Sequence, residues 1–186
     1  QGRLREISEL VLADMAPATN KVWIDDRRVS QVVGDVADRS VLAQAITADT
    51  GSVFHLAAVV SGQAEADFDI GMRVNVDATR TLLELTRKLP APPKFVFTSS
   101  IAVFGGALPA VLPDDQALTP QGSYGAQKAM CELLVSDMSR KGMIDGRSLR
   151  LPTVTVRPGK PNKAASSFAS GIIREPLAGV DAICPT

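Results

Sequence analysis

The sequence has a single histidine, His55, and only two cysteines, Cys131 and Cys184, among its 186 residues. Metal sites and nucleophilic triads that draw on several histidines are therefore poor candidates, and no metal site is expected. The cysteines fit no CxxC or zinc spacing and read as two unpaired thiols of a reducing compartment. Acidic and basic residues balance to a formal net charge of zero. That lacks the broad cationic footprint of a nucleic-acid binder. No apolar run approaches the roughly 18 residues of a membrane span. The opening residues, "QGRLREISELVLADM", are charged where a signal peptide would be apolar. With 45% hydrophobic and 22% charged residues, the expectation is an ordinary globular, cytoplasmic protein with no nucleic-acid or membrane partner. His55, inside "VFHLAA", reads as a packed or backbone-bonded histidine, with a cofactor-lining role as the alternative.

Short apolar, β-branched runs do recur, with helix-like segments between them. Strands are expected at 9–13 ("ELVLA"), 29–33, 52–56, 94–99 and 153–157 ("TVTVR"). They are apolar without strict alternation, the pattern of parallel strands buried on both faces. Helices are expected near 38–48, 70–89 and 123–141. Asp38 caps the first, Pro90 stops the second, and Gly142 closes the third. Residues 89–94 and 108–122 are proline-rich loops. The alternation implies an α/β fold with a doubly wound parallel sheet, whose ligands bind beyond the carboxyl ends of the strands. Asp14, Asp35, "AAVVSG", "SSIAVFG" and "PGKPN" all follow expected strands.

The only tyrosine, Tyr124, precedes Lys128 by one helical turn in "GSYGAQKAM". Residues at that spacing share a helix face. An ammonium ion beside a phenol favours the phenolate and lowers its pKa, making it a usable base near neutral pH. Ser99 or Ser100 would supply a hydroxyl to orient a substrate oxygen. Alone the pair is a weak signal, because a packed tyrosine and a solvated lysine would look the same. A preceding strand ending in "TSS" makes it strong.

With "GDVAD" (34–38), "HLAA" (55–58), "RVNVDATRTLLE" (73–84), "FTSSIAVFG" (97–105), "YGAQK" (124–128) and "VRPG" (156–159), the sequence resembles the extended short-chain dehydrogenase/reductase family of epimerases and dehydratases. The resemblance implies a Rossmann-like fold and a serine, tyrosine and lysine group at Ser100, Tyr124 and Lys128. Tyr124 would accept the proton, and Lys128 would depress its pKa and bond the nicotinamide ribose. Asn75 would order the preceding long helix and serve a proton relay. Asp14 would hold the adenosine ribose, favouring NAD over its 2′-phosphate because no arginine stands beside it. Asp35 and Val36 would flank adenine, and Leu56, Ala57 and Ala58 would floor the cofactor. Ser99 and Pro158 complete the expected cofactor set. Two long helices, 70–89 and 123–141, would pair across a homodimer, with Leu82, Leu83, Met130 and Leu134 as contacts unless they face the sheet.

The family's first strand and its GxxGxxG turn are not found here; Gly2 is isolated, and residues 1–10 read as the end of a helix leading into the second strand. The expectation is an internal portion of a longer protein, with a sheet lacking its central strand. Residues 1–160 would be a partial NAD-binding domain and 161–186 the start of a substrate-binding portion. Dehydratases of the family carry an Asp-Glu pair after the catalytic hydroxyl residue, whereas Ile101 and Ala102 follow Ser100 here. The stretches from His55 to Gly71 and from Val156 to Gly179 resemble the subgroup that oxidises small sugar acids. Ser61, Gly62, Asn162 and Lys163 would then contact the substrate, with Lys160 and Arg174 behind them. A sugar-nucleotide epimerase and a non-catalytic NAD-binding protein are the alternatives.

Overall fold

The computed structural model describes residues 6–157, 159 and 162–184. Its strands are β1 (Leu10–Asp14), β2 (Val29–Val33), β3 (Ser52–His55), β4 (Lys94–Ser100) and β5 (Asp145–Leu151). The helices are α1 (Lys21–Ile24), α2 (Arg39–Ala45), α3 (Ser61–Ala66), α4 (Phe68–Gly71), α5 (Ala78–Thr86), α6 (Ser123–Arg140) and α7 (Phe168–Leu177). A π-helical turn, Met72–Asp77, joins α4 to α5, so the expected helix over 70–89 is one continuous rod with a wide turn inside it.

All strand pairing is parallel. β1 pairs with β2 in one sheet, and β3, β4 and β5 form another in that order. The division falls between β1 and β3, where the sequence reading places the missing strand. Helix α2 links the β1–β2 pair to the core of the other sheet. Helix α2 packs on β1, β2 and α5, and its Leu42 joins Leu82, Leu83, Phe95, Phe97, Val135 and Met138 in a single apolar cluster. Burying each of the two phenylalanines contributes about 1.5–3 kcal/mol.

Local chemistry sets the boundaries. Asp38 caps α2 by accepting from the Ser40 amide at 2.8 Å. Helix α6 closes at Gly142, whose amide bonds back to the Ser139 carbonyl at 2.9 Å.

Three expectations are corrected. The last strand is Asp145–Leu151, not 153–157. Its partner β4 ends with the Ser100↔Leu151 pair, after which the chain turns through a 3-10 segment, Ile101–Val103. Pro152 then follows, with no amide to continue a ladder. The strands are not buried on both faces: β3 buries Val53 and His55 under the helices but leaves Phe54 66% exposed. For the suggested dimer contacts the alternative reading holds: Leu82 and Leu83 face the core and Leu134 packs against it, whereas Met130 is open on α6, as is Leu133.

Among the described residues no helix is long and apolar enough to cross a membrane.

Candidate active site

Strand β4 and helix α6 position the central residues. Along β4, Phe95, Phe97 and Ser99 point into the core while Val96, Thr98 and Ser100 are half-buried. Ser100 sits at the strand's end, its hydroxyl accepting from the Ala102 amide at 3.1 Å and bonding the Tyr124 hydroxyl. On α6, Gln127, Lys128 and Cys131 form a buried face below the half-buried Tyr124. Helix α3 fixes the start of α6, because Glu65 accepts from the Ser123 amide at 2.9 Å.

Lys128 is almost wholly buried. Its ammonium donates to the Thr98 carbonyl at 2.7 Å and lies over the Phe97 ring, 4.7 Å from its centre. Burial lowers its pKa to about 8, with a smaller opposing effect from Cys131. The structure corrects the expected tuning of Tyr124. Burial pushes that hydroxyl above its ordinary value, and the bond from Ser100 pulls it back in part. The lysine lies over the face of the tyrosine ring.

Asn75 lies buried in the π turn and anchors it. Its Oδ1 accepts from the Val59 amide at 2.9 Å, and its Nδ2 donates to the Val59 carbonyl at 3.2 Å and to Gln127 Oε1 at 2.7 Å. The Asn75 carbonyl, displaced by the wide turn, accepts from the Thr79 hydroxyl at 2.6 Å and the Cys131 thiol at 3.2 Å. His55 bonds the same Thr79 hydroxyl through Nε2 at 2.7 Å. Since that hydroxyl donates to Asn75, the histidine Nε2 carries the proton. His55 packs against Phe95 and Phe97, and burial lowers its pKa to about 4, so it stays neutral. Its bond is to a side chain, not to the backbone.

The remaining candidates divide by sheet. Asp14 is exposed at the carboxyl end of β1, its side chain accepting from the Ala16 amide at 3.2 Å. Asp35 follows β2 and pairs with Arg73 at 2.6 Å, which holds its carboxyl below the usual range. Val36 is a core residue. Ala57 and Ala58 are half-buried after β3, whereas Leu56 is exposed. The Ser99 hydroxyl is buried and has no hydrogen-bond partner among the described residues.

Two substrate candidates from distant stretches meet: the Gly62 amide, beside Ser61, donates to the Lys163 carbonyl at 3.0 Å. Asn162 Oδ1 accepts from the Ala164 amide, turning that loop. Arg174 is not a free cation, because it pairs with Glu175 and donates to the Arg157 carbonyl. Pro158 and Lys160 lie outside the described residues.

Sequence reasoning missed Thr98, Gln127, Thr79 and Glu65. Gln127 was detectable, being one turn from Tyr124 on the same face as Lys128, and Thr79 one turn after Asn75 likewise. Nothing in the sequence marks the Thr98 carbonyl.

Three comparisons with known proteins extend this geometry. A curated D-erythronate dehydrogenase of Cupriavidus necator is 65% identical over 179 residues, covering 96% of this chain and 54% of that protein. A curated D-erythronate dehydrogenase of Haemophilus influenzae is 50% identical over 189 residues, covering 94% and 60%. A crystal structure described as the nucleoside-diphosphate-sugar epimerase from Agrobacterium tumefaciens matches with a TM-score of 0.83 at 46% identity, covering 96% of this chain and 53% of its own. The chain thus spans a little over half the length of the curated relatives it matches. The family described as "NAD dependent epimerase/dehydratase family" matches residues 4–183. With Ser100, Tyr124 and Lys128 gathered at the end of β4, the chain belongs to that NAD-dependent epimerase/dehydratase family.

Proposed function

We infer that the whole protein oxidises the C2 hydroxyl of a small sugar acid of the D-erythronate kind to the 2-keto acid, using NAD. The observation that carries this reading is the 65% identity to a D-erythronate dehydrogenase across nearly all of this chain. It is joined by the convergence of Ser100 and Lys128 on Tyr124.

The residues present suit the cofactor. The orphaned Ser99 hydroxyl and Lys128 would hold its nicotinamide half, the small Ala57 and Ala58 leave room for its backbone, and Asp14 would hold its adenosine ribose. Asp35 and Val36 would stand by the adenine. Bound NAD supplies a hydride acceptor. Tyr124, as the phenolate, would accept the hydroxyl proton, Ser100 would orient the substrate oxygen, and the Lys128 charge would favour the phenolate. Asn75 holds the π turn and Val59 in place. Ser61, Gly62, Asn162 and Lys163 would wall the substrate, with its carboxylate toward Lys163. Residues 1–160 then serve the cofactor, and 161–186 begin the substrate-binding portion. The exposed Met130 and Leu133 on α6 support a homodimer packed through residues 70–89 and 123–141.

The test is to incubate the full-length protein with NAD and a panel of four-carbon sugar acids, following NADH by absorbance. Turnover of D-erythronate that is lost in Tyr124→Phe is the expected result. A second reading, sugar-nucleotide epimerisation, is favoured by the 46% identity to the Agrobacterium tumefaciens structure. It requires interconversion of a sugar nucleotide with no net NADH.

A further inference from the structure

We propose that Gln127 is a positioning residue of this site, matched to Gly71, which sets the helix carrying Tyr124 and Lys128 against the Asn75 turn. The proposal rests on the reading of Tyr124 and Lys128 as the proton-transfer pair.

Gln127 is 1% exposed, unusual for a residue with four hydrogen-bonding sites on its amide. Its orientation is dictated from outside. The Val59 amide needs an acceptor, which fixes Asn75 Oδ1 toward Val59 and leaves Asn75 Nδ2 as a donor. Gln127 must therefore present Oε1 to Asn75, as it does at 2.7 Å. Its Nε2 is left in the core with no partner. A buried amide is retained at such a cost when something else depends on its oxygen.

Gly71, the last residue of α4, is shaped for the same amide. A Cβ there would collide with Gln127 Nε2, so any larger residue must displace that buried amide. The contact chain runs from Val59 through Asn75 and Gln127 to Lys128, the next residue on α6. One turn further along α6, Cys131 bonds the Asn75 carbonyl. Two contacts one turn apart fix both the depth and the rotation of α6 against the π turn. Rotation of α6 about its axis moves the Tyr124 hydroxyl relative to Ser100, and displacements of that kind are expressed in turnover.

The test uses the full-length protein and Gln127→Met, which keeps the volume and removes both the acceptor and the orphaned amide. The expected result is a fall in kcat of about tenfold or more, with the KM for NAD within about twofold. The urea midpoint should change little, since the substitution removes one buried unpaired group, Gln127 Nε2, and leaves another, the second Asn75 Nδ2 hydrogen. A residue that merely filled space would leave kcat alone, so a kcat within about twofold of wild type overturns the proposal.

Gly71→Ala should be strongly damaging by itself and far less so combined with Gln127→Ser. Equal damage in both backgrounds breaks the match. Absence of NADH with every sugar acid counts against the proposed function, not against Gln127. Hydrogen exchange of the Val59 amide then decides: faster exchange in Gln127→Met with Phe95 and Phe97 unchanged supports the clamp, and unchanged Val59 exchange overturns it.

Discussion

The Lys128 ammonium lies 5.6 Å from the centre of the Tyr124 ring while donating to the Thr98 carbonyl. One helical turn of spacing brings the two side chains together, with the ammonium over the face of the ring. The hydrogen-bonding influence on the phenol oxygen comes from Ser100. Burial raises the pKa of the Tyr124 hydroxyl above its ordinary value, and Ser100 opposes that rise.

The first prediction concerns that acidity. Subtracting the ultraviolet titration of Tyr124→Phe from that of the protein without cofactor isolates Tyr124. Its midpoint should lie above 10.0, and Ser100→Ala should raise it further, because the Ser100 bond is the lowering influence. A midpoint below 10.0 would show that the lysine charge reaches the oxygen after all. In turnover, Tyr124→Phe should lower kcat/KM by about 10²–10⁴-fold, the usual range for a proton-transfer group.

Lys128 should make the protein's stability depend on pH. Burial lowers its pKa from 10.5 to about 8, so between those values the unfolded chain holds a proton that the folded chain has lost. Stability therefore rises with pH across that window, by roughly 3 kcal/mol at most. Lys128→Met relieves the burial of charge at pH 7 and forfeits one hydrogen bond, worth about 1 kcal/mol, to Thr98. Urea unfolding should find the variant inactive yet at least as stable at neutral pH, with its advantage shrinking above pH 8. A constant difference across the window would sink the argument.

Much of this site was legible because its residues lie on regular elements. Tyr124 and Lys128 follow helical spacing and Ser100 ends an apolar strand, so period placed these three, whereas Asn75 was singled out only by the resemblance to the family. What escaped depends on long-range pairing. "TVTVR" looks more strand-like than "DGRSLRL", yet β4 pairs with the latter through Leu151 and then ends. The burial of Gln127 depends on Asn75, 52 residues away, which no local pattern encodes. The sign of the Tyr124 shift likewise follows from the burial of its hydroxyl, which no local pattern encodes.

His55 supplies an acid limb of the same origin. Burial, helped by the Lys128 charge, lowers its pKa from 6.5 to about 4. Between those values the unfolded chain is protonated and the folded chain is not, so stability should fall as pH drops from 6.5 toward 4. The loss attributable to this residue is roughly 3 kcal/mol. His55→Gln can still donate to Thr79 and cannot titrate, so its urea midpoint should fall less steeply over the same interval. Identical slopes would mean that the histidine is not held neutral.

Gly62 offers a test of the substrate wall independent of the proton-transfer group. Its amide bonds the Lys163 carbonyl, and a Cβ at this position would collide with that same carbonyl. Gly62→Ala must therefore push the segment at Asn162 and Lys163 away from helix α3. If those residues contact the sugar acid, its KM should rise about tenfold while the KM for NAD stays within about twofold. Lys163→Ala should reproduce the loss of sugar-acid affinity without moving the backbone. The two variants separate position from charge: a defect in Gly62→Ala alone assigns the wall to backbone placement, and defects in both assign the carboxylate to Lys163. Equal rises in both KM values would instead place this contact in the scaffold shared by cofactor and substrate.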